Sequence, residues 1–191
     1  MTTSLHTFLD RPASVVAPEL LGCIIEREID GHIIRVRIVE TEAYDETDAA
    51  SHSYKGRTPR TDIMFGKSGY LYVYFTYGMH YCCNIVTGKE GTGAAVLIRA
   101  VEPIEGEVFM EEYRGRSGVD LSNGPAKLCQ ALAIDKRLNG HDLTTSPLKL
   151  ILQPKIDSRH VTQTNRIGIS QAKDVPWRFY ITDNKYVSHL K

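Results

Sequence analysis

The stretch "IIRVRIVETEAY", residues 33–44, alternates its side chains with a period of two, the mark of a strand with two different faces. Asp30 and Gly31 stand just before it, and "CIIEREI", residues 23–29, reads as a strand on their far side. An Asp-Gly pair between two such runs predicts a tight hairpin, so the sheet begins antiparallel. On the longer strand Ile34, Val36, Ile38, Glu40, Glu42 and Tyr44 are expected on one face. Three apolar residues turn that face inward, and two carboxylates then follow on it. Burying an ionised carboxylate is costly unless a cation or several hydrogen bonds meet it.

A cation is available in "AAVLIRAVEP", residues 94–103. Arg99 interrupts this apolar run, on the face expected for Leu97 and Val101. A guanidinium there calls for a carboxylate partner, either Glu42 or Glu40. Burial disfavours the ionised acid and the arginine favours it, so Arg99 is expected to keep Glu42 ionised near neutral pH. A purely structural ion pair is the plainer reading of any one of these residues. Two acids and an arginine together suit a reactive centre equally well.

Between these strands lies "YLYVYFTYGMHYCCN", residues 70–84. Tyr70, Tyr72 and Tyr74 alternate with Leu71, Val73 and Phe75, and a second run follows from Cys82 to Val86, so a hairpin bends at Gly78. Hairpin tips usually carry Asn, Gly, Asp or Ser because they meet water. This one offers Tyr77, Met79 and His80. Nearby, Tyr44, Tyr74 and His52 are either ordinary amphipathic residues or the walls of a slot for a flat ligand, and periodicity does not choose between the two.

Outward from this centre, Asp10 is expected to cap a short helix that has Pro12 in its first turn and ends at Gly22. Residues 45–69 are polar and aperiodic, a long loop of the kind that often carries function. Helices are predicted over Pro103–Arg114 and in "SNGPAKLCQALAI", with Ser122 or Asn123 near the cap. Short strands are predicted at Leu148–Gln153, Arg166–Ser170 and Arg178–Thr182. Strands in runs, rather than alternating with helices, indicate an α+β fold. The expectation is a single domain over residues 1–191, with a curved, largely antiparallel sheet, peripheral helices and a protruding hairpin.

Lys and Arg number 23 and Asp and Glu 23, so bulk charge does not attract nucleic acid. A local patch does exist, in His52, Lys55, Arg57, Arg60 and Lys67, and is suited to phosphates. Cys23, Cys82, Cys83 and Cys129 form no C-x-x-C pair, which points to reduced thiols rather than disulfides or zinc. No stretch reads as a signal peptide or a membrane span, and a cytoplasmic location is expected. Walker, G-x-S-x-G and G-x-G-x-x-G motifs are absent, and no histidines have a metal-binding spacing.

The blocks "VETEAY", "SHSYKGRTPR", "MFGKSGYLYVYFTYGMHYCCNIV", "AAVLIRAVEP" and "NGPAKLCQALAI", with "RIGIS" and "WRFYI" further on, together resemble the alkyladenine (3-methyladenine) DNA glycosylase family. The resemblance runs from about Phe8 through Ile134 and extends to most of the chain. It implies a monofunctional glycosylase that removes alkylated or deaminated purines from duplex DNA by hydrolysis, with no metal or other cofactor. By position, Glu42 resembles the residue that activates water. Arg99 and the backbone carbonyl of Ile167 resemble the groups that hold that water. Tyr44, His52 and Tyr74 match the slot that stacks the extruded base, and Asn84 the residue that crowds a guanine amino group. Tyr77 matches the side chain pushed into the duplex, with Met79 and His80 beside it. Lys55, Arg57, Arg60 and Lys127 are assigned to DNA phosphates. The implied partner is damaged double-stranded DNA, bound by a monomer away from membranes, at the nucleoid if the source is bacterial.

This reading accounts for the hairpin tip. A base inside a duplex cannot be attacked, and a flat wedge fills the hole left when it is swung out. No lysine lies in the matched strands, so a Schiff-base lyase step is not expected. Two rivals share the aromatic slot: a damaged-DNA-binding module without catalysis, and a hydrolase of free purine nucleosides that needs no wedge.

Overall fold

The computed structural model describes residues 4–188. One curled antiparallel sheet dominates it. Its strands are β1 (Ile24–Ile29), β2 (His32–Tyr44), β3 (Leu71–Thr76), β4 (His80–Val86), β5 (Ala95–Glu105), β6 (Leu148–Ile151), β7 (Val161–Thr164) and β8 (Arg178–Ile181). They run in the order β3-β4-β5-β2-β1-β6, while β8 pairs with both β2 and β7. The helices are α1 (Leu5–Leu9), α2 (Ala13–Glu19), α3 (Glu107–Arg114) and α4 (Pro125–Ala131). The α+β class expected from the sequence is the class observed.

Strand β2 is the hub. Its first half pairs with β1 through a turn whose residues Asp30 and Gly31 both have positive φ, 49° and 80°, as the predicted hairpin requires. Glu40 to Glu42 pair with β8, and β5 follows the opposite edge of β2. Ile34, Val36 and Ile38 from β2 meet Val96, Ile98 and Val101 from β5 in the main core. Helix α2 closes that core with Val16 and Ala17, followed by Leu20 and Leu21, and α4 adds Leu128. A fully buried leucine contributes about 1.5–3 kcal/mol, so these residues anchor the helices to the sheet.

The alternation expected along β2 breaks at a double bulge. Ile38 pairs with Val101 and Glu40 with Ala100, leaving Val39 as an extra residue; Thr41 then pairs with Ile98, leaving Arg99 as an extra residue on β5. Beyond this point Thr41 donates to the Ala17 carbonyl at 2.9 Å and Ala43 enters the main core. Glu40, Glu42 and Tyr44 therefore do not share the face of Ile34 to Ile38. Arg99 keeps the face of Leu97 but not that of Val101. An extra residue on each strand reverses the faces, so the acids avoid the apolar core and meet arginines instead.

Other expectations are corrected. Asp10 ends α1, and Pro12 occupies the cap position of α2. Pro103 lies in β5, beside a register shift that spares it a ladder bond, and α3 begins only after Gly106. The cap of α4 is Gly124, directly after Asn123, while Ser122 turns its hydroxyl to the Val101 carbonyl. Residues 166–170 form a loop, not a strand; the strand is Val161–Thr164, whose "VTQT" has no apolar alternation to reveal it.

The polar stretch 45–69 is largely irregular, as expected, but it is pinned to the loop that leads into β5. Ser53 donates to the Gly93 carbonyl at 2.6 Å, and the Gly93 amide donates to Glu46 at 3.1 Å. A Cβ on Gly93 would stand 2.6 Å from both Phe65 and Ser53. Gly93→Ala is expected to cost roughly 1–3 kcal/mol by overpacking, read as a lower midpoint in denaturant unfolding with an unchanged slope.

Candidate active site

The double bulge gathers four buried charges. Arg99 donates from Nε to Glu40 and from Nη1 to Glu42, each at 3.2 Å. Arg178, from β8, donates from Nε to Glu40 at 2.6 Å. Glu40 and Glu42 are wholly buried, at 0% exposure. The sequence left open which acid pairs with Arg99; in the structure both do. Burial works against the Arg99 charge, but Glu42 and Glu40 outweigh it and hold the guanidinium above its ordinary pKa.

Glu42 is fixed from three sides. Its Oε2 accepts from Arg99 and from the Tyr44 hydroxyl at 2.8 Å. Its Oε1 accepts from the Ile167 amide at 2.8 Å. Burial, and then the neighbouring Glu42 charge, push the Tyr44 phenol well above its ordinary pKa, so it remains a donor. Ile167 is held in place by its neighbour Arg166, whose side chain forms a bidentate pair with buried Asp48 and lies over the Tyr44 ring, 4.7 Å from its centroid. One guanidinium thus braces both the phenol and the loop that supply donors to Glu42. Breaking such a buried pair typically costs about 3–5 kcal/mol.

Directly paired residues carry the site across the sheet: Tyr72 opposite Asn84, Asn84 opposite Leu97, Leu97 opposite Glu42. A cavity of about 490 Å³ opens over this row, lined by Tyr44, His52, Tyr72, Tyr74, Asn84 and Arg99 among others. Tyr72 and Tyr74 stack with centroids 5.7 Å apart, and His52 meets Tyr74 edge-on at 4.5 Å. The loop 167–171 forms another wall. The size suits a ligand of one or two rings. At the mouth stands Tyr77, which is 83% exposed, with Met79 at 70%. Its φ of 51° lies in the left-handed region, a conformation that costs a tyrosine roughly 1 kcal/mol or more.

A model of the methylpurine-DNA glycosylase family matches residues 7–185. The chain belongs to that family. The glycosylase is 50% identical to a protein of Carboxydothermus hydrogenoformans, the alignment covering 95% of this chain and 96% of the other. It is 47% identical to one from Desulfitobacterium hafniense and 44% identical to one from Methanoculleus marisnigri, over the same shares. Each relative bears the name "Putative 3-methyladenine DNA glycosylase". This chain is therefore a DNA N-glycosylase, an enzyme of DNA repair. No helix among the described residues is long and apolar enough to cross a membrane.

The site residues anticipated from the glycosylase sequence fall into three groups. Glu42, Arg99, Ile167, Tyr44, His52, Tyr74 and Asn84 converge on the cavity or the carboxylate behind it. Ile167 meets Glu42 through its amide. Tyr77, Met79 and His80 sit at the exposed hairpin turn. Of the basic residues, Lys55 is exposed, and Arg60 lies over the Tyr74 ring at 5.7 Å. Arg57 is held by Asp62 at 2.6 Å, and Lys127 by Asp120 and by Asn123 at 2.8 Å. A phosphate would displace an acid from each of these last two.

Sequence reasoning missed Tyr72, Asp48, Arg166 and Arg178. Tyr72 could have been found, since it shares a strand face with Tyr74. The others could not: Asp48 and Arg166 are 118 positions apart, Arg178 and Glu40 138, and no local pattern names a partner at that distance.

His52 stands at the rim with part of its ring open to solvent and Nδ1 3.1 Å from the Tyr72 hydroxyl. Burial against the aromatic wall, and then the Arg60 charge, lower its pKa from 6.5. The unfolded chain therefore takes up this proton at a higher pH than the folded chain, and stability is lost as pH falls below 6.5. Imidazole NMR is expected to show a His52 midpoint below 6.5, rising toward that value in Arg60→Ala.

Proposed function

We propose that the enzyme swings an alkylated or deaminated purine out of duplex DNA and hydrolyses its N-glycosidic bond with water activated by Glu42. The observation that carries this reading is the wholly buried Glu42 carboxylate, anchored by Arg99, Tyr44 and the Ile167 amide directly behind an aromatic cavity. A flat base enters between Tyr44 on one side and Tyr74 and His52 on the other. Asn84, buried and tied through its side-chain amide to the Tyr72 carbonyl at 3.2 Å, crowds the edge where a guanine carries its amino group. The lesion class is 3-methyladenine, 7-methylguanine, hypoxanthine or ethenoadenine.

Extrusion costs a few kcal/mol of unstacking, and stacking on the aromatic walls returns about 1–3 kcal/mol. Tyr77 fills the vacancy in the duplex, with Met79 beside it as an apolar support and His80 toward the strand. The exposure of the tyrosine supports this role, as does the presence of a tyrosine at a left-handed turn position where Asn or Gly would be favoured. Lys55 and Arg60 meet phosphates directly; Arg57 and Lys127 do so by exchanging their acidic partners.

The chemistry asks for little more than electrostatics. As the C1′–N bond breaks, its electron pair leaves with the purine and positive charge develops on the sugar. The Glu42 carboxylate stabilises that charge. Its Oε1 carries a single donor, the Ile167 amide, and keeps capacity to accept a proton from water. The water oxygen bonds to C1′ and its proton passes to Glu42, while Arg99 and the Ile167 carbonyl orient it. A purine that is already cationic leaves as a neutral base, a neutral one such as hypoxanthine leaves as an anion that takes a proton from solvent, and Glu42 returns its proton to water.

Glu42→Gln is expected to abolish release of purine from methylated duplex DNA, assayed in EDTA, while DNA binding persists. Wild-type release by that variant would remove Glu42 from the chemistry. Tyr77→Asn, which suits the left-handed turn, is expected to raise thermal stability while lowering excision from duplex at least tenfold. Undiminished excision with that variant would instead favour a hydrolase of free nucleosides.

A further inference from the structure

The glycosylase reading makes use of Glu42 and leaves Glu40 unexplained. Glu40 is as deeply buried, and four donors converge on it. Arg99 and Arg178 supply two. The other two come from Ser188, whose amide reaches Oε2 at 2.7 Å and whose hydroxyl reaches Oε1 at 2.8 Å. Arg178 also donates to the Ser188 carbonyl at 3.2 Å. Two residues earlier, Tyr186 packs on Val39 and Ala100, the residues at the double bulge. Asn184 donates to Glu102 at 3.2 Å and accepts from the Tyr186 amide. The segment from Asn184 to Ser188 is thus a strap across the back of the bulges, on the side of Glu40 away from the cavity.

We propose that Glu40 is a positioning residue for the reaction, held by the C-terminal strap, which sets the angle at which Arg99 presents itself to Glu42. The inference rests on the reading of Glu42 and Arg99 as the reactive pair. The geometry argues for it in two ways. Arg99 reaches Glu42 with Nη1 only, and one hydrogen bond leaves a guanidinium free to pivot. The Nε bond to Glu40 supplies the second point that stops the pivot. The charges also balance only as a set: two acids face two arginines, and without Glu40 two arginines would compete for Glu42. The family match ends at residue 185, before Ser188, so the last clasp of the strap lies outside the matched region.

Misplacing a reactive group by about 1 Å from a distance can cost on the order of 100-fold in rate. Ser188→Pro removes both donors of Ser188 to Glu40 near the end of the described chain, and none of the hydrogen bonds of Ser188 among the described residues goes to the hairpin. It is expected to lower the single-turnover excision rate about 5- to 50-fold, with the dissociation constant for lesion duplex within twofold of wild type. Because the effect passes through Arg99, the same substitution in an Arg99→Gln background is expected to change the rate less than twofold. Glu40→Gln should follow the same pattern with a larger loss; if it fails to fold, the Ser188 pair of measurements still decides. A wild-type rate for Ser188→Pro, or an equal loss in both backgrounds, overturns the proposal. Glu42→Gln is measured in parallel. If it is inactive while Ser188→Pro is normal, only the strap falls. If Glu42→Gln excises normally, the reactive pair and the strap fall together.

Discussion

Four charges buried where two strands each carry one residue too many are the constraint on which the rest of the molecule depends. Glu40, Glu42, Arg99 and Arg178 could not sit singly in this interior, since an unpaired buried charge costs several kcal/mol. As a closed set they are neutral, and almost every oxygen position on the acids is met by a donor. The double bulge makes this possible. It turns the acids off the face of Ile34, Val36 and Ile38, so the main core stays apolar while the opposite face carries the charges. Apolar packing on one side and charge on the other are products of the same two irregularities.

The same sheet places the aromatic cavity. Strand pairing carries one line of side chains from Tyr72 through Asn84 and Leu97 to Glu42, so the surface that would receive a base and the carboxylate behind it are fixed by backbone hydrogen bonds. Rigid strands hold such a row more closely than loops could. The loops then finish it. Residues 45–69 bring His52 and Asp48, and the segment after β7 brings Arg166 and the Ile167 amide. Both are secured by buried hydrogen bonds. The hairpin turn shows the opposite economy: Tyr77 and Met79 are left to solvent in a family whose members act on DNA.

Much of this was legible in the chain. Period-two alternation and the Asp-Gly turn located β1, β2 and the tyrosine hairpin, because local sterics and turn chemistry act over a few residues. An arginine inside an apolar run announced a buried ion pair, since the physics of burial leaves few alternatives. The helix starts were less accurate. Pro103 read as a helix opener but lies in β5, where a tertiary register shift freed it from the ladder. The segment 166–170 reads as a strand because Ile167 and Ile169 alternate with other residues, yet its first residue is an arginine spent on Asp48.

The chain alone established most strand positions, though not β7, together with the α+β class, the pairing of Arg99 with an acid and the family resemblance, each of which rests on residue type and short spacing. Only the tertiary structure decided which face Glu40 and Glu42 take, that one arginine serves both, and that Asp48, Arg166, Arg178 and Ser188 complete the arrangement. The physical reason is distance along the chain. Arg99 meets Glu40 and Glu42 from 59 and 57 positions away, and Arg178 and Ser188 reach Glu40 from 138 and 148, and no local pattern records a partner so far off.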